Sequence, residues 1–180
     1  MKSKLKIVFS KEDIAKLNRD LGGRINQEYA KVMAPGEELL VVVTLKGAIL
    51  FAADLVREIQ VPVKLDFIRC SSYGAATTTS GNVVLKKDLE HPVSGKHVLI
   101  LDEIVDSGFT LSFLIQHFKA LEPKSLKVCA LLDKKSRRQV KVDVDYIGRE
   151  VEDLFLVGYG LDFDENYRNL PEIYELTTGE

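Results

Sequence analysis

Residues 101–111, LDEIVDSGFTL, lie between an apolar run and a helical repeat, and their reading decides the fold. Upstream, residues 97–101 (HVLIL) have the near-continuous apolar character of a strand buried on both faces. Downstream, Leu111, Leu114, Ile115, Phe118 and Leu121 recur at helical spacing. The turn between them is Asp106, Ser107, Gly108, Phe109 and Thr110. A turn that opens a helix leaves backbone N–H groups unpaired and points the positive end of the helix dipole outward. With the hydroxyls of Ser107 and Thr110 added, that chemistry suits a phosphate. Asp102 and Glu103 end the strand, at the edge where open α/β sheets take ligands, and two carboxylates there suit hydroxyls or a divalent cation. An N-capping Asp followed by a turn glycine accounts for the same letters without a ligand, so the rest of the chain has to decide.

Outward from this segment, strands and helices alternate. Ser10 reads as an N-cap with Asp13 three residues on, and Ile14, Leu17, Leu21, Ile25, Tyr29 and Val32 mark a first helix up to Pro35-Gly36. Gly22 and Gly23 cost that helix about 1 kcal/mol each relative to Ala, which points to a break or a close contact. Residues 39–44 (LLVVVT) and 63–68 (VKLDFI) read as strands, with a helix marked by Ala52, Leu55, Val56 and Ile59 between them. Residues 126–132 (LKVCALL) supply a further strand, and beyond Lys134 shorter strand-like pieces follow at 142–147 and 155–157. This order predicts an α/β fold with a mostly parallel central sheet flanked by helices. At 180 residues one domain spanning 1–180 is expected, since a chain of this size buries about 70 % of its unfolded surface.

Composition narrows the function. No apolar stretch approaches the roughly 20 residues of a membrane span. The start, MKSKLKIVFS, lacks the apolar region of a signal peptide, so a cytoplasmic protein is expected. Cys70 and Cys129 have neither CxxC spacing nor histidine neighbours, which predicts no zinc site and no disulfide. A net charge of −2 argues against broad nucleic-acid affinity, leaving small molecules or subunits as partners. The basic run Lys135, Arg137, Arg138 and Lys141 reads as a charged face. Residues 70–81 (CSSYGAATTTSG) carry no charge and almost nothing large and apolar, so they cannot pack a core. Such a stretch between two strands is a linker or a lid, here spanning about 70–82.

Apolar strand, two acids, two apolar residues and then D-[ST]-G-x-T is similar to the phosphoribosyl pyrophosphate signature of the type I phosphoribosyltransferases. The resemblance extends to the 6-oxopurine branch, the hypoxanthine-guanine phosphoribosyltransferases, and covers nearly the whole chain. TLKGA at 44–48 resembles that family's pyrophosphate loop, Ser72-Tyr73 its closing lid pair, and LLDKK at 131–135 its purine-recognition segment. DLFLVGYGLDFDENYRNLP at 153–171 resembles the block carrying its stacking aromatic, a magnesium-linked aspartate and a pyrophosphate-binding arginine. Two departures stand out: the family has Glu then Asp where this chain has Asp102 then Glu103, and Ser107 replaces the commoner Thr.

The resemblance implies transfer of a 5-phosphoribosyl group from phosphoribosyl pyrophosphate to N9 of hypoxanthine or guanine, giving IMP or GMP and pyrophosphate. It implies Mg²⁺ at Asp102, Glu103 and Asp162, and Asp106 as general base. Asp102, Glu103, Asp106, Ser107, Gly108, Phe109 and Thr110 would hold the ribose 5-phosphate. Lys134, Phe155, Leu156 and Asp162 would meet the purine in a hood built from both chain ends, mainly 134–180. Leu45, Lys46, Gly47, Ser72, Tyr73 and Arg168 would bind pyrophosphate, with a cis non-proline peptide possible at the bond matching Leu45–Lys46. Homodimers or homotetramers are the family's usual form. Two alternatives remain open: a xanthine-preferring enzyme, and a regulator that keeps this fold but binds RNA or DNA, which a slightly acidic chain with Lys134, Phe155, Asp162 and Arg168 together disfavours.

Overall fold

The computed structural model describes residues 3–72 and 83–178. β1 (Ser3–Phe9) leads into α1 (Lys11–Val32). The Asp13 N–H donates to the Ser10 hydroxyl at 3.2 Å while the Ser10 N–H donates to the Asp13 carboxylate at 3.0 Å, the expected capping box. Ile14, Leu17, Leu21, Ile25 and Tyr29 form the buried stripe that seats α1 on the sheet. The helix runs unbroken through Gly22. A Cβ there would lie 2.5 Å from the Glu58 Cβ at the end of α2 (Ile49–Glu58), so the close contact, not the break, is what this glycine serves.

β2 (Leu39–Thr44), β3 (Val63–Ser72), β5 (His97–Val105), β6 (Ser125–Asp133) and β7 (Tyr146–Glu150) pair in parallel, and β4 (Val83–Lys87) returns antiparallel along β3. The order is β4-β3-β2-β5-β6-β7. Winding therefore reverses between β2 and β5, and such a switch point opens a crevice at the strands' carboxyl ends. Val41, Val43, Leu99 and Leu101 face α1 and α2. Leu40, Val42, Val98 and Ile100 face Leu111, Leu114 and Phe118 of α3 (Phe109–Lys119). Burial on both faces explains why these strands read as continuous apolar runs. Each such side chain contributes about 1.5–3 kcal/mol, so the two half-cores hold the crevice rigidly.

A second, antiparallel sheet of order β1-β9-β8 joins β8 (Leu156–Val157) and β9 (Ile173–Thr178) to the first strand, so both ends of the chain build one hood. The strand expected at 142–147 lies instead at Tyr146–Glu150. Val142 and Val144 are apolar because they pack on the α3-side core, and the Asp145 carboxylate accepts the Val128 N–H at 2.9 Å, so their alternation marks an extended approach and not a paired strand. Cys70 and Cys129 are both free. Of the expected lid, Cys70 to Ser72 complete β3, and residues 73–82 lie outside the described residues.

Candidate active site

Gly108 is the N-cap of α3, with φ +91°, and no side chain caps that helix. Asp106 is thus free of the capping role that the bland reading gives it. The turn is braced from behind: the Gln139 and Val140 N–H groups donate to the Ser107 carbonyl at 2.9 and 3.0 Å, and Arg138 Nε donates to the Asp106 carbonyl at 3.0 Å. A Cβ at Gly108 would lie 2.5 Å from the Val140 carbonyl oxygen, so only glycine lets the brace close. Arg138 is itself fixed by an ion pair with buried Asp133. In front lies a polar cleft of about 190 Å³ lined by Thr44, Leu45, Asp102, Glu103, Asp106 and Ser107, with Gly108 and Thr110 at its helix end. Phe109 contributes backbone to the turn, and its ring does not line this cleft.

At the carboxyl end of β5, Asp102 and Glu103 both line this cleft. Thr44 Oγ1 donates to Asp102 at 2.6 Å. Glu103 lies over Gly47, where a Cβ would come within 1.9 Å of its Oε1. Burial raises the pKa of Asp102, and burial together with the neighbouring Asp102 charge holds Glu103 well above the usual carboxylate range. Neither acid has an ion-pair partner among the described residues, so this buried pair lacks a counter-charge. That deficit fits a hard cation with oxygen ligands, though no three acids or histidines among the described residues converge as a ready-made cage. Mg²⁺ commonly takes one or two carboxylates and completes its shell with water and substrate oxygens.

Beside Gly47, the Leu45–Lys46 peptide is cis. Lys46 Nζ reaches Glu165 Oε2 at 2.6 Å. Arg168 Nη2 contacts Asp162 Oδ1 at 2.9 Å and Glu165 Oε1 at 3.3 Å, and the Glu165 N–H donates to Asp162 at 2.9 Å. Buried Arg168 Nε has no hydrogen-bond partner among the described residues. Two cations thus meet around Glu165, beside the loop that carries Gly47.

At the opposite rim Lys134 is 8 % exposed, with its N–H donating to the Val105 carbonyl at 2.9 Å. Its ammonium has no hydrogen-bond or ion-pair partner among the described residues, and burial lowers its pKa against the pull of Asp106 and Asp153. Leu156 is buried in the core, whereas Phe155 is half exposed and meets Phe163 edge-on at 5.4 Å. A half-exposed ring backed by a second ring offers a face for stacking. Of the lid pair, Ser72 ends β3 and Tyr73 is outside the described residues.

The family model described as phosphoribosyl transferase domain matches residues 6–164. This chain belongs to the phosphoribosyltransferase family. Among phosphoribosyltransferases it is 44 % identical to the hypoxanthine-guanine phosphoribosyltransferase of Bacillus subtilis (strain 168), covering 93 % of this chain and 91 % of that one. It is 42 % identical to the hypoxanthine phosphoribosyltransferase of Salmonella typhimurium, over 96 % of each. The crystal structure of a Bacillus anthracis hypoxanthine-guanine phosphoribosyltransferase superposes with a TM-score of 0.87 at 40 % identity, covering 98 % of this chain and 100 % of that one. Within this phosphoribosyltransferase, sequence reasoning overlooked three groups at the site. Arg137 and Arg138 do more than form a charged face: Arg137 Nε lies 3.2 Å from Asp106 Oδ1 and Arg138 braces the turn that opens α3. Glu165, bridging Lys46 and Arg168, carries no sequence signal beyond its place between Asp162 and Arg168.

Proposed function

We propose that this phosphoribosyltransferase transfers the 5-phosphoribosyl group of phosphoribosyl pyrophosphate to N9 of hypoxanthine or guanine, releasing pyrophosphate and forming IMP or GMP. The observation that carries the choice of base is Lys134, a buried side chain whose ammonium has no partner among the described residues and lies near Asp106. Such a donor seeks an acceptor, which O6 of a 6-oxopurine offers and the amino group of adenine does not.

Each residue then has a physical task. The α3 turn, with Ser107, Thr110 and the Gly108–Thr110 backbone, receives the 5′-phosphate. Asp102 and Glu103 take the ribose diol, and with Asp162 acting through water they would hold Mg²⁺, which when bound supplies positive charge for the pyrophosphate. Lys46, Arg168 and the backbone of Leu45 and Gly47 grip that leaving group, the group to which the resemblance also assigns Ser72 and Tyr73. Phe155 stacks on the base while Leu156 meets its edge. As N9 bonds to C1 of the ribose, the bond from C1 to the pyrophosphate oxygen breaks and Asp106 accepts the proton held at N7. Charge grows on ribose and leaving group together, so fixed donors around both lower the barrier. The working form we propose is a cytoplasmic homodimer or homotetramer acting on these small molecules.

The test is a Mg²⁺-dependent assay with phosphoribosyl pyrophosphate and each of hypoxanthine, guanine, xanthine and adenine. Hypoxanthine and guanine should turn over. Asp106→Asn should lower kcat by about a hundredfold or more, and Lys134→Ala should raise the KM for the base by about tenfold or more. Turnover of xanthine alone would overturn the choice of base, and turnover of none would overturn the reaction.

A further inference from the structure

Gly158 and Leu161 exchange both main-chain hydrogen bonds, at 2.9 and 3.0 Å, around Tyr159 and Gly160, whose φ angles are +48° and +98°. Two central residues with positive φ make the tight turn usually given to Asn-Gly. A bulky tyrosine in that left-handed region is disfavoured and persists only where its surroundings fix it. Here they do. The ring is 6 % exposed, its hydroxyl donates to Asp54 Oδ2 of α2 at 2.6 Å, and it accepts from Asn18 Nδ2 of α1 at 3.1 Å. Burial and the adjacent Asp54 carboxylate push the Tyr159 hydroxyl far above its ordinary pKa, so it stays a donor throughout the working range.

Asn18 strengthens the point. It interrupts the apolar stripe of α1, and a buried polar side chain is costly unless it is bonded. Its amide nitrogen is spent on the Ile14 carbonyl at 3.0 Å and on Tyr159, while its oxygen has no partner among the described residues. Tyr159 is thus the distant group that this asparagine serves.

The other side of the turn faces the pyrophosphate groups. A Cβ at Gly160 would lie 2.0 Å from the Gly47 carbonyl oxygen, so the turn backbone rests directly on the loop carrying Lys46. The Tyr159 N–H donates to the Leu170 carbonyl at 2.8 Å and the Gly160 N–H to the Arg168 carbonyl at 3.0 Å, and Arg168 Nη1 returns to the Gly160 carbonyl at 2.8 Å. Among the described residues nothing comparable links the turn to Lys134 or Asp106. We propose that Tyr159 is a positioning residue for the pyrophosphate half of the site, tying the Lys46 loop and Arg168 to α1 and α2 through Asn18 and Asp54. This rests on the assignment of Lys46 and Arg168 to pyrophosphate given above.

Tyr159→Phe keeps the ring and removes only the tether. It should raise both the KM for phosphoribosyl pyrophosphate and the calorimetric Kd of Mg²⁺-pyrophosphate by about tenfold, with the KM for hypoxanthine within about twofold. Asp54→Ala should do the same, the double variant should add little, and Asp54→Asn, which keeps an acceptor, should restore most of the affinity. Unchanged pyrophosphate affinity in Tyr159→Phe would overturn the inference alone. An equal rise in both KM values with a large fall in Tm, not relieved in Asp54→Asn, would also overturn it, as a merely structural role. No turnover by the unsubstituted enzyme would sink the functional reading itself, a result visible before any substitution is made.

Discussion

Glu165 places a carboxylate between the Lys46 ammonium and the Arg168 guanidinium, and the Lys46 contact holds its pKa below the usual range. An anionic substrate group bound to those cations has to displace it. Glu165→Gln should therefore lower the KM for phosphoribosyl pyrophosphate by roughly twofold to fivefold, the modest size reflecting an exposed and solvent-screened pair. Initial rates at fixed base check this, and a higher KM would mean that Glu165 organises the two cations instead of competing for them. Single residues were legible in the sequence where chemistry is contiguous: Asp102, Glu103, Asp106, Ser107 and Thr110 follow one strand and line one cleft. Arg138 was not, because its partners are Asp133 and the Asp106 carbonyl, and only the folded turn brings them to it.

Among the elements, the segment from β8 to β9 is shaped by two successive two-residue turns. The second pairs Phe163 with Asn166 at 3.2 and 3.0 Å around Asp164 and Glu165, whose φ angles are +51° and +62°. Asp162 is presented between the two turns, as a knuckle. Gly160→Ala should disrupt this arrangement twice over, through a left-handed φ that costs an L residue about 1–3 kcal/mol and through collision with the backbone of Gly47. Activity at low phosphoribosyl pyrophosphate should fall by more than about tenfold, with a lower Tm. A variant with unaltered kinetics would show that the Lys46 loop needs no support from this turn. Strands buried on both faces, β2, β5 and β6, announce themselves by apolar runs. β1 and β4 do not: Lys4, Leu5, Lys6 and Ile7 are all exposed, and β4 alternates half-buried with exposed positions, so pairing rather than burial defines them.

For the molecule as a whole, the amino ends of the strands, at the edge of the sheet away from the site, are joined by charge. Glu37 accepts the Ala34 N–H at 2.7 Å, pairs with Lys124 and lies 3.4 Å from His97 Nε2, joining the segment after α1 to the starts of β5 and β6. Those contacts, the Lys124 bond first, depress its pKa from 4.5 to about 2. A depressed carboxylate stabilises the fold above its unfolded pKa, and the contribution is lost as the pH falls from about 4.5 towards 2. Glu37→Gln should lower Tm at pH 7 by a few degrees and converge with the unsubstituted protein near pH 2. A Tm gap independent of pH would refute this. The layers follow from the alternation of strands and helices, but the strand order and the joining of β1 to β9 do not, since nothing local in a strand names its partner.

That joining has a consequence for biosynthesis. Ser3 sits opposite Thr178, so β1 leaves the ribosome long before β9, the strand it pairs with. A nascent chain that has emerged through Asp133 already holds every strand flanking the turn at Asp106, while Phe155, Arg168 and strands β8 and β9 are still to come. During translation the turn at Asp106 is therefore built before the hood, and an unpaired, lysine-bearing β1 is an edge shown to the surroundings until β9 arrives.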